Sequence, residues 1–205
     1  MMHNKEEVFK KEENRITEIL HQGINNFIKD KKALFNIKER VLKCMDERTP
    51  GGIHLAGAGI LLGIEKAVEF VKKAKITKVT WHRDCGAVAL SLKNEVKNPS
   101  AEEINDRAKE FTEELASKAG INSSEEEMQG ETAYHCARAI YYDNTGEFNI
   151  NNEVPTGFVI SRKYLDKEYA QEELKIAASI AFGSHCFGDL FSVDQPLLVV
   201  AVSEL

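Results

Sequence analysis

The sequence predicts an α/β fold with a mainly parallel central sheet flanked by helices, and three observations carry that prediction. Short runs rich in apolar and β-branched residues ("ERVLKCMD", "ITKVTWH", "PLLVVAV") alternate with longer segments of helical periodicity. The connections between these runs are long enough to hold a crossover helix, which parallel neighbours require. At 205 residues the chain suits one domain with a substantial core.

Taken in order, Val8, Phe9, Ile16, Ile19, Leu20, Ile24, Phe27 and Ile28 recur at helical spacing, so residues 5–30 read as one long amphipathic helix. "ERVLKCMD" is a short buried strand ending at Cys44, and "GGIHLAGAG" is a second apolar run broken by glycines near its end. "ILLGIEKAVEFVKKA" has helical periodicity, and "ITKVTWH" is a β-branched and aromatic strand. Ser100 with Glu103 three residues on marks a helix start, and Gly120 fits its C-terminal stop. "INSSEEEMQGE" is polar and reads as a loop or short capped turn, with Glu125 to Glu127 a solvated acidic patch. "YHCARAIYYDNTGEFNI" reads as two strand-like stretches around an Asp-Asn-Thr-Gly turn. A strand ("TGFVIS"), a helix over about 166–183 and a last strand ("PLLVVAV") complete the chain.

Composition narrows the function. Lys and Arg number 27 against 33 Asp and Glu, a formal charge of −6. An acidic balance without basic clusters argues against nucleic acid as a partner. No apolar run approaches the ~18 residues of a membrane span, and the charged N-terminus lacks the apolar core of a signal peptide. The expected compartment is therefore cytoplasmic, where cysteines are buried, catalytic or metal-binding rather than paired.

The chemistry gathers where two strands end. Cys44 closes one strand and is followed by Asp46 and Arg48; His82 and Cys85 follow another. In a parallel sheet the C-terminal ends of strands share one edge, where ligand sites collect. Two thiolates and one imidazole there make a good set for zinc with a fourth position open, the pattern of catalytic rather than structural sites. Asp46 can point toward a water in that position, and Arg48 can hold Asp46 ionised. Asp84, between the ligands, reads as a residue that shapes the loop or supports the ligands from behind. Gly57, Gly59 and Gly63 offer a rival, a loose dinucleotide-binding pattern, but no acidic residue ends the next strand to take the ribose. They fit close helix–strand packing better. His135-Cys136 and His185-Cys186 cannot each aim both members at one ion from a strand, so they read as core cysteines with incidental histidines.

Cys-x-Asp-x-Arg followed by His-x-x-Cys-Gly is the signature of the beta-class carbonic anhydrases, and "CMDER" with "HRDCG" matches it at every defining position. The chain resembles that family over roughly residues 35–150. "RAIYYDNTGEF" is similar to the family's late strand and turn, and "IHLAGAG" to its second strand, with His54 and Leu55 where Arg and Asn are usual. The resemblance implies a single beta-carbonic-anhydrase-like domain over 1–205: an N-terminal helix (1–34), a motif-bearing core (35–150) and a C-terminal strand-helix-strand extension (151–205). It implies one Zn2+ per chain on Cys44, His82 and Cys85, with Asp46 and Arg48 as catalytic residues. The implied reaction is reversible hydration of carbon dioxide to bicarbonate by zinc-bound hydroxide. An inactive state, in which Asp46 leaves Arg48 for the zinc, is also implied. So is a homodimer or higher homo-oligomer, the apolar face of the N-terminal helix packing on a partner subunit. The alternatives are hydrolysis of carbon disulfide or carbonyl sulfide at the same site, and a non-catalytic zinc-stabilised binding protein. His54 is either a proton shuttle or a histidine packed beneath the sheet edge.

Overall fold

The structure, a computed structural model, describes residues 5–93, 95–129 and 135–203. Seven strands run in chain order: β1 (Val41–Cys44), β2 (Ile53–Leu55), β3 (Lys78–Trp81), β4 (Asn122–Glu125), β5 (Ala139–Asp143), β6 (Gly157–Ser161) and β7 (Leu198–Val202). They form a four-stranded sheet of order β2-β1-β3-β4 and a three-stranded sheet of order β6-β5-β7. Every pairing is parallel. The two sheets meet where β6 passes β2: His54 N–H donates to Ser161 Oγ at 2.9 Å. The expected α/β class with a parallel sheet and flanking helices is what the structure shows.

Parallel pairing explains the core. β5 and β6 have helix-covered surroundings, so they read as almost continuous apolar runs, and their alternation is divided between two clusters. Ile140, Phe158 and Ile160 join the larger cluster with the helices α3 (Ile64–Lys73), α5 (Ala101–Ala119) and α6 (Lys167–Ala181). Ala139, Tyr141 and Val159 face the smaller one, with Leu34, Phe148 and Val202. The capping box at α5 is present in full, Ser100 Oγ accepting from Glu103 N–H at 3.2 Å and Glu103 Oε2 accepting from Ser100 N–H at 2.7 Å. Such a cap contributes about 1 kcal/mol. Gly120 closes the helix in the left-handed conformation.

Three expectations need correction. The N-terminal helix is not continuous: α1 (Lys5–Gln22) stops at Gly23, whose φ of 80° breaks the helix before a single turn, α2 (Ile24–Phe27). Its apolar face, with Phe9, Ile16 and Ile19 buried, is spent inside the chain. The polar stretch after α5 is not all loop, because Asn122–Glu125 is edge strand β4. An edge strand with little burial needs no apolar alternation, which hid it. Around the Asp-Asn-Thr-Gly turn there is one strand, not two. β5 takes both its neighbours from later in the chain, β6 and β7, and Asp143 folds the turn by accepting from Thr145 N–H and Oγ1–H at 2.8 and 2.6 Å. Residues 130 and 131 of the polar stretch and Tyr134 lie outside the described residues.

One buried acid ties the helices to the site-bearing sheet. Glu173 of α6 is 1 % exposed, and its Oε2 accepts from Ala56 N–H at 2.6 Å, immediately after β2. Its other oxygen has no hydrogen-bond partner. Burial outweighs the Ala56 hydrogen bond and pushes the carboxyl from 4.5 up to about 7. A raised acid contributes stability that is complete below the unfolded-state value and is lost as pH rises through the folded one. Glu173→Gln is therefore expected to stabilise the protein on the order of 3 kcal/mol at about pH 8.5 and to change little near pH 4. Denaturant melts at the two pH values check this; equal effects at both would contradict it.

Candidate metal centre

β1 and β3 are direct neighbours, with Leu42 opposite Val79, so their C-terminal ends deliver Cys44 and His82 to the same sheet edge. The chain then turns sharply. Asp84 adopts a left-handed φ of 54°, and its N–H is held by Asn105 Oδ1 of α5 at 2.8 Å, which fits the loop-shaping role expected of it. That turn returns Cys85 to the edge at the start of the short helix α4 (Gly86–Leu92). The segment after β2 closes over the same point. Gly57 has φ 53°, and a Cβ there would stand 2.8 Å from the Ile60 side chain and 3.3 Å from Ala87. Gly57 thus serves close packing beside the site as expected, whereas a Cβ at Gly63 meets nothing within 4 Å and that glycine serves its φ of 77°.

Cys44 Sγ and Cys85 Sγ are 3.7 Å apart. Two sulfurs on a tetrahedral ion with metal–sulfur bonds of ~2.3 Å stand about 3.8 Å apart, so the thiols already have the spacing of a shared ion. His82 Nδ1 is fixed by the Arg83 carbonyl at 2.8 Å, leaving Nε2 as the donor. That Nε2 is buried with no hydrogen-bond partner. The ligand atoms of Cys44, His82 and Cys85 all lie within 4.8 Å of one another, and all three residues are buried. The Cys44 sulfur beside it offsets part of that burial, and a metal ion on the same lone pair would give Nε2 a partner. Two soft sulfurs with one imidazole favour zinc among common divalent ions. The hydrogen bond between the thiols, with burial, pushes Cys44 well above its ordinary value, and the same bond pulls Cys85 down. A metal ion binding here would have to displace the thiol protons. Beside the donors is a cavity of about 10 Å³, walled also by Trp81, Val88 and Ala108. That is about one water's worth of space.

Asp46 and Arg48 sit in the turn after β1. Thr49 holds this turn, its hydroxyl reaching the carbonyls of Cys44 and Asp46 at 2.8 and 2.9 Å. Arg48 N–H and Nε–H donate to Asp46 Oδ1 at 3.0 and 2.9 Å, and Nη2–H donates to Oδ2 at 2.8 Å. Burial alone would raise the Asp46 carboxyl. The hydrogen bond and charge of Arg48, together with His135, outweigh it and hold the carboxyl below the ordinary carboxylate range. Arg48 rises correspondingly, its bonding to Asp46 overcoming the opposing effect of burial. A cavity of about 360 Å³ reaches Arg48 and Glu47 from beneath α1, with Lys11, Cys136 and Thr156 in its wall.

The structure thus brings together all five residues expected at the site. One histidine expectation changes, and another takes one of its two alternatives. His54 is 2 % exposed and its Nδ1 is 2.7 Å from the Cys44 carbonyl. Burial, partly offset by that hydrogen bond, lowers it to about 4. Burial thus favours the neutral ring, and the histidine is packed beneath the sheet edge against the Cys44 backbone. His135 is the reverse case. It is no incidental neighbour of a core cysteine, because its Nδ1 stands 3.1 Å from Glu47 Oε2 and 3.4 Å from Asp46 Oδ2. No local pattern could have shown this, since the contact crosses the chain. Cys136 and Cys186 are buried thiols as expected. The acidic patch is partly paired: Glu125 with Arg83 and Glu126 with Lys43, each at 2.7 Å. Comparison with protein-family models, with curated proteins and with solved structures finds no match for this chain.

Cys44→Ser or Cys85→Ser replaces a thiolate with a hydroxyl that stays protonated at neutral pH, a poor ligand. Zinc content is expected to fall from one ion per chain to near none in either variant, while Cys186→Ser keeps the full ion. Elemental analysis after dialysis reads this directly; zinc retained by both site variants would dismiss the cluster as a metal centre.

Proposed function

We propose that this chain is a zinc-dependent carbonic anhydrase of the beta class, interconverting carbon dioxide and bicarbonate. One observation carries the reading. A three-donor Cys–His–Cys cluster and an ionised carboxylate locked to an arginine share one sheet edge, joined through the turn from Cys44 to Arg48. The matching signature residues "CMDER" and "HRDCG" support it.

A zinc ion on Cys44, His82 and Cys85 would supply Lewis acidity and make a water nucleophilic near neutral pH. The remaining work falls to the chain. Asp46, kept ionised by Arg48, accepts a hydrogen bond from the attacking oxygen and thereby aims its lone pair at the substrate carbon. An amide in its place would offer a donor where an acceptor is needed. Arg48 keeps this carboxylate in one orientation by occupying both of its oxygens. The apolar wall of Val88, Ala108 and Trp81 beside the donors suits a small uncharged substrate. Carbon disulfide and carbonyl sulfide share the electrophilic carbon of carbon dioxide, so both belong in any assay. Reduced thiols at the ligand positions suit the cytosol.

Asp46→Asn is expected to retain zinc and lose on the order of 100-fold or more in carbon dioxide hydration. Arg48→Ala keeps zinc as well and is slowed, because the carboxylate loses the two donors of the arginine side chain, Nε–H and Nη2–H. Stopped-flow hydration at matched zinc content, with carbon disulfide and carbonyl sulfide run in parallel, tests the assignment. Wild-type rates in Asp46→Asn would reduce the pair to a structural ion pair. Turnover of a sulfur substrate without hydration would reassign the enzyme.

A further inference from the structure

The metal donors and the Asp46–Arg48 pair leave one residue of the site without a role. His135 enters from the segment that leads into β5, and its own N–H is tied to the His185 carbonyl at 2.7 Å. Its ring is held on several sides. Glu47 Oε2 lies 3.1 Å from Nδ1, and the other Glu47 oxygen accepts from Cys136 N–H at 2.8 Å. Phe158 meets the imidazole edge-on at 5.5 Å between centroids. Gly86, next to Cys85, flanks Nε2: a Cβ built there would stand 3.9 Å away. The side chain is 12 % exposed, and that of Glu47 is 2 % exposed.

Nδ1 faces two carboxylate oxygens, Glu47 Oε2 and Asp46 Oδ2. Ionised carboxylates only accept, so a bare nitrogen lone pair there would be repelled by both. Nδ1 therefore carries a hydrogen, whatever the state of Nε2. Arg48, by contrast, lies in the same turn as Asp46, so that pair can move as a unit when the turn moves. The backbone of the turn is tied to distant segments, Gln129 N–H donating to the Arg48 carbonyl at 2.9 Å, and a donor from the β5 segment adds such a tie for the Asp46 side chain itself.

We propose that Glu47 and His135 are positioning residues forming a second clamp on Asp46, in which the His135 Nδ1–H is shared between Glu47 Oε2 at 3.1 Å, which orients the imidazole, and Asp46 Oδ2 at 3.4 Å. The clamp deepens the reading of Asp46 as the group that aims the nucleophile, and rests on it for its consequence in catalysis. Its geometry stands apart from that reading and can be tested apart from it.

Two measurements test it. Nitrogen-edited NMR of the imidazoles, on the zinc-free and zinc-loaded chain, is expected to show His135 with an exchange-protected proton on Nδ1. That proton resonance moves upfield in Asp46→Asn, where a charged acceptor becomes neutral. An Nε2–H tautomer with bare Nδ1, or a resonance indifferent to Asp46→Asn, overturns the clamp. The second measurement uses side-chain geometry. The Asn amide nitrogen stands where Nδ1 of histidine stands, whereas the Gln amide nitrogen stands where Nε2 does. At equal zinc content and equal melting temperature, His135→Asn is expected to recover hydration to within about threefold of wild type, while His135→Gln and His135→Ala lose about tenfold or more. Gln matching Asn, or Asn falling as far as Ala, overturns the clamp. Absence of hydration in zinc-loaded wild type overturns the functional reading instead, and the NMR result then decides the clamp by itself.

Discussion

The two sulfurs of Cys44 and Cys85 stand 3.7 Å apart in the protein interior, and the rest of the site depends on keeping them there. The weak hydrogen bond between the thiols is backed by elements far apart in the chain. Cys44 is placed by the hydrogen-bonded register of β1 with β2 and β3, and Cys85 by a left-handed residue and the first turn of a helix. The backbone around Cys44 is secured from three directions. Its carbonyl accepts from Thr49 and faces the buried His54 ring, while Met45 N–H donates to the Leu55 carbonyl at 3.0 Å. Burying two thiols and an unpartnered imidazole nitrogen is unfavourable without a compensating ion. The protein accepts that cost at one point and surrounds it with well-packed apolar residues, as Gly57 and Ala87 illustrate.

Electrostatics divides the site into two halves with different duties. Around the sulfurs the donors are soft and the walls apolar, which favours a metal and disfavours hydrated competitors. One turn away, Asp46 is charged, buried and surrounded by cationic or N–H groups, so it stays ionised against the effect of burial. Preorganised dipoles and charges of this kind cost no reorganisation at the moment of reaction, which is where their value for catalysis lies. The halves are coupled through the short chain from Cys44 to Asp46 and through Thr49, whose hydroxyl reaches both carbonyls. Small shifts in that turn therefore change the relation between nucleophile and acceptor without disturbing the ligands.

Much of this was legible in the sequence, for physical reasons that differ by element. β1, β3, β6 and β7 were found because parallel strands are apolar runs bounded by polar or turn residues. α5 was found to the residue because its capping box is written in Ser100, Glu103 and Gly120. β4 was missed because a solvated edge strand such as "NSSE" carries no burial pattern. The partners of β5 were missed because parallel pairing is non-local, and a Gly-containing turn after a strand looks the same whether or not a hairpin follows. The candidate donors Cys44, His82 and Cys85 and the Asp46–Arg48 pair were legible because they fall in two short stretches, 44–48 and 82–85, each at the end of a strand. His135 and Glu47 were not, because their meeting depends on how β5 is placed beside the rest of the fold.

The account stands or falls on whether the buried Cys–His–Cys cluster, once it holds zinc, acts on carbon dioxide and water. Exchange of 18O between labelled carbon dioxide and water, followed by mass spectrometry, reads the interconversion at chemical equilibrium without any coupled reagent. Protein carrying one zinc per chain is predicted to deplete the label well above the buffer rate, in proportion to its zinc content, with the zinc-free chain giving the buffer rate alone. Label loss at the buffer rate from fully zinc-loaded protein would contradict the account.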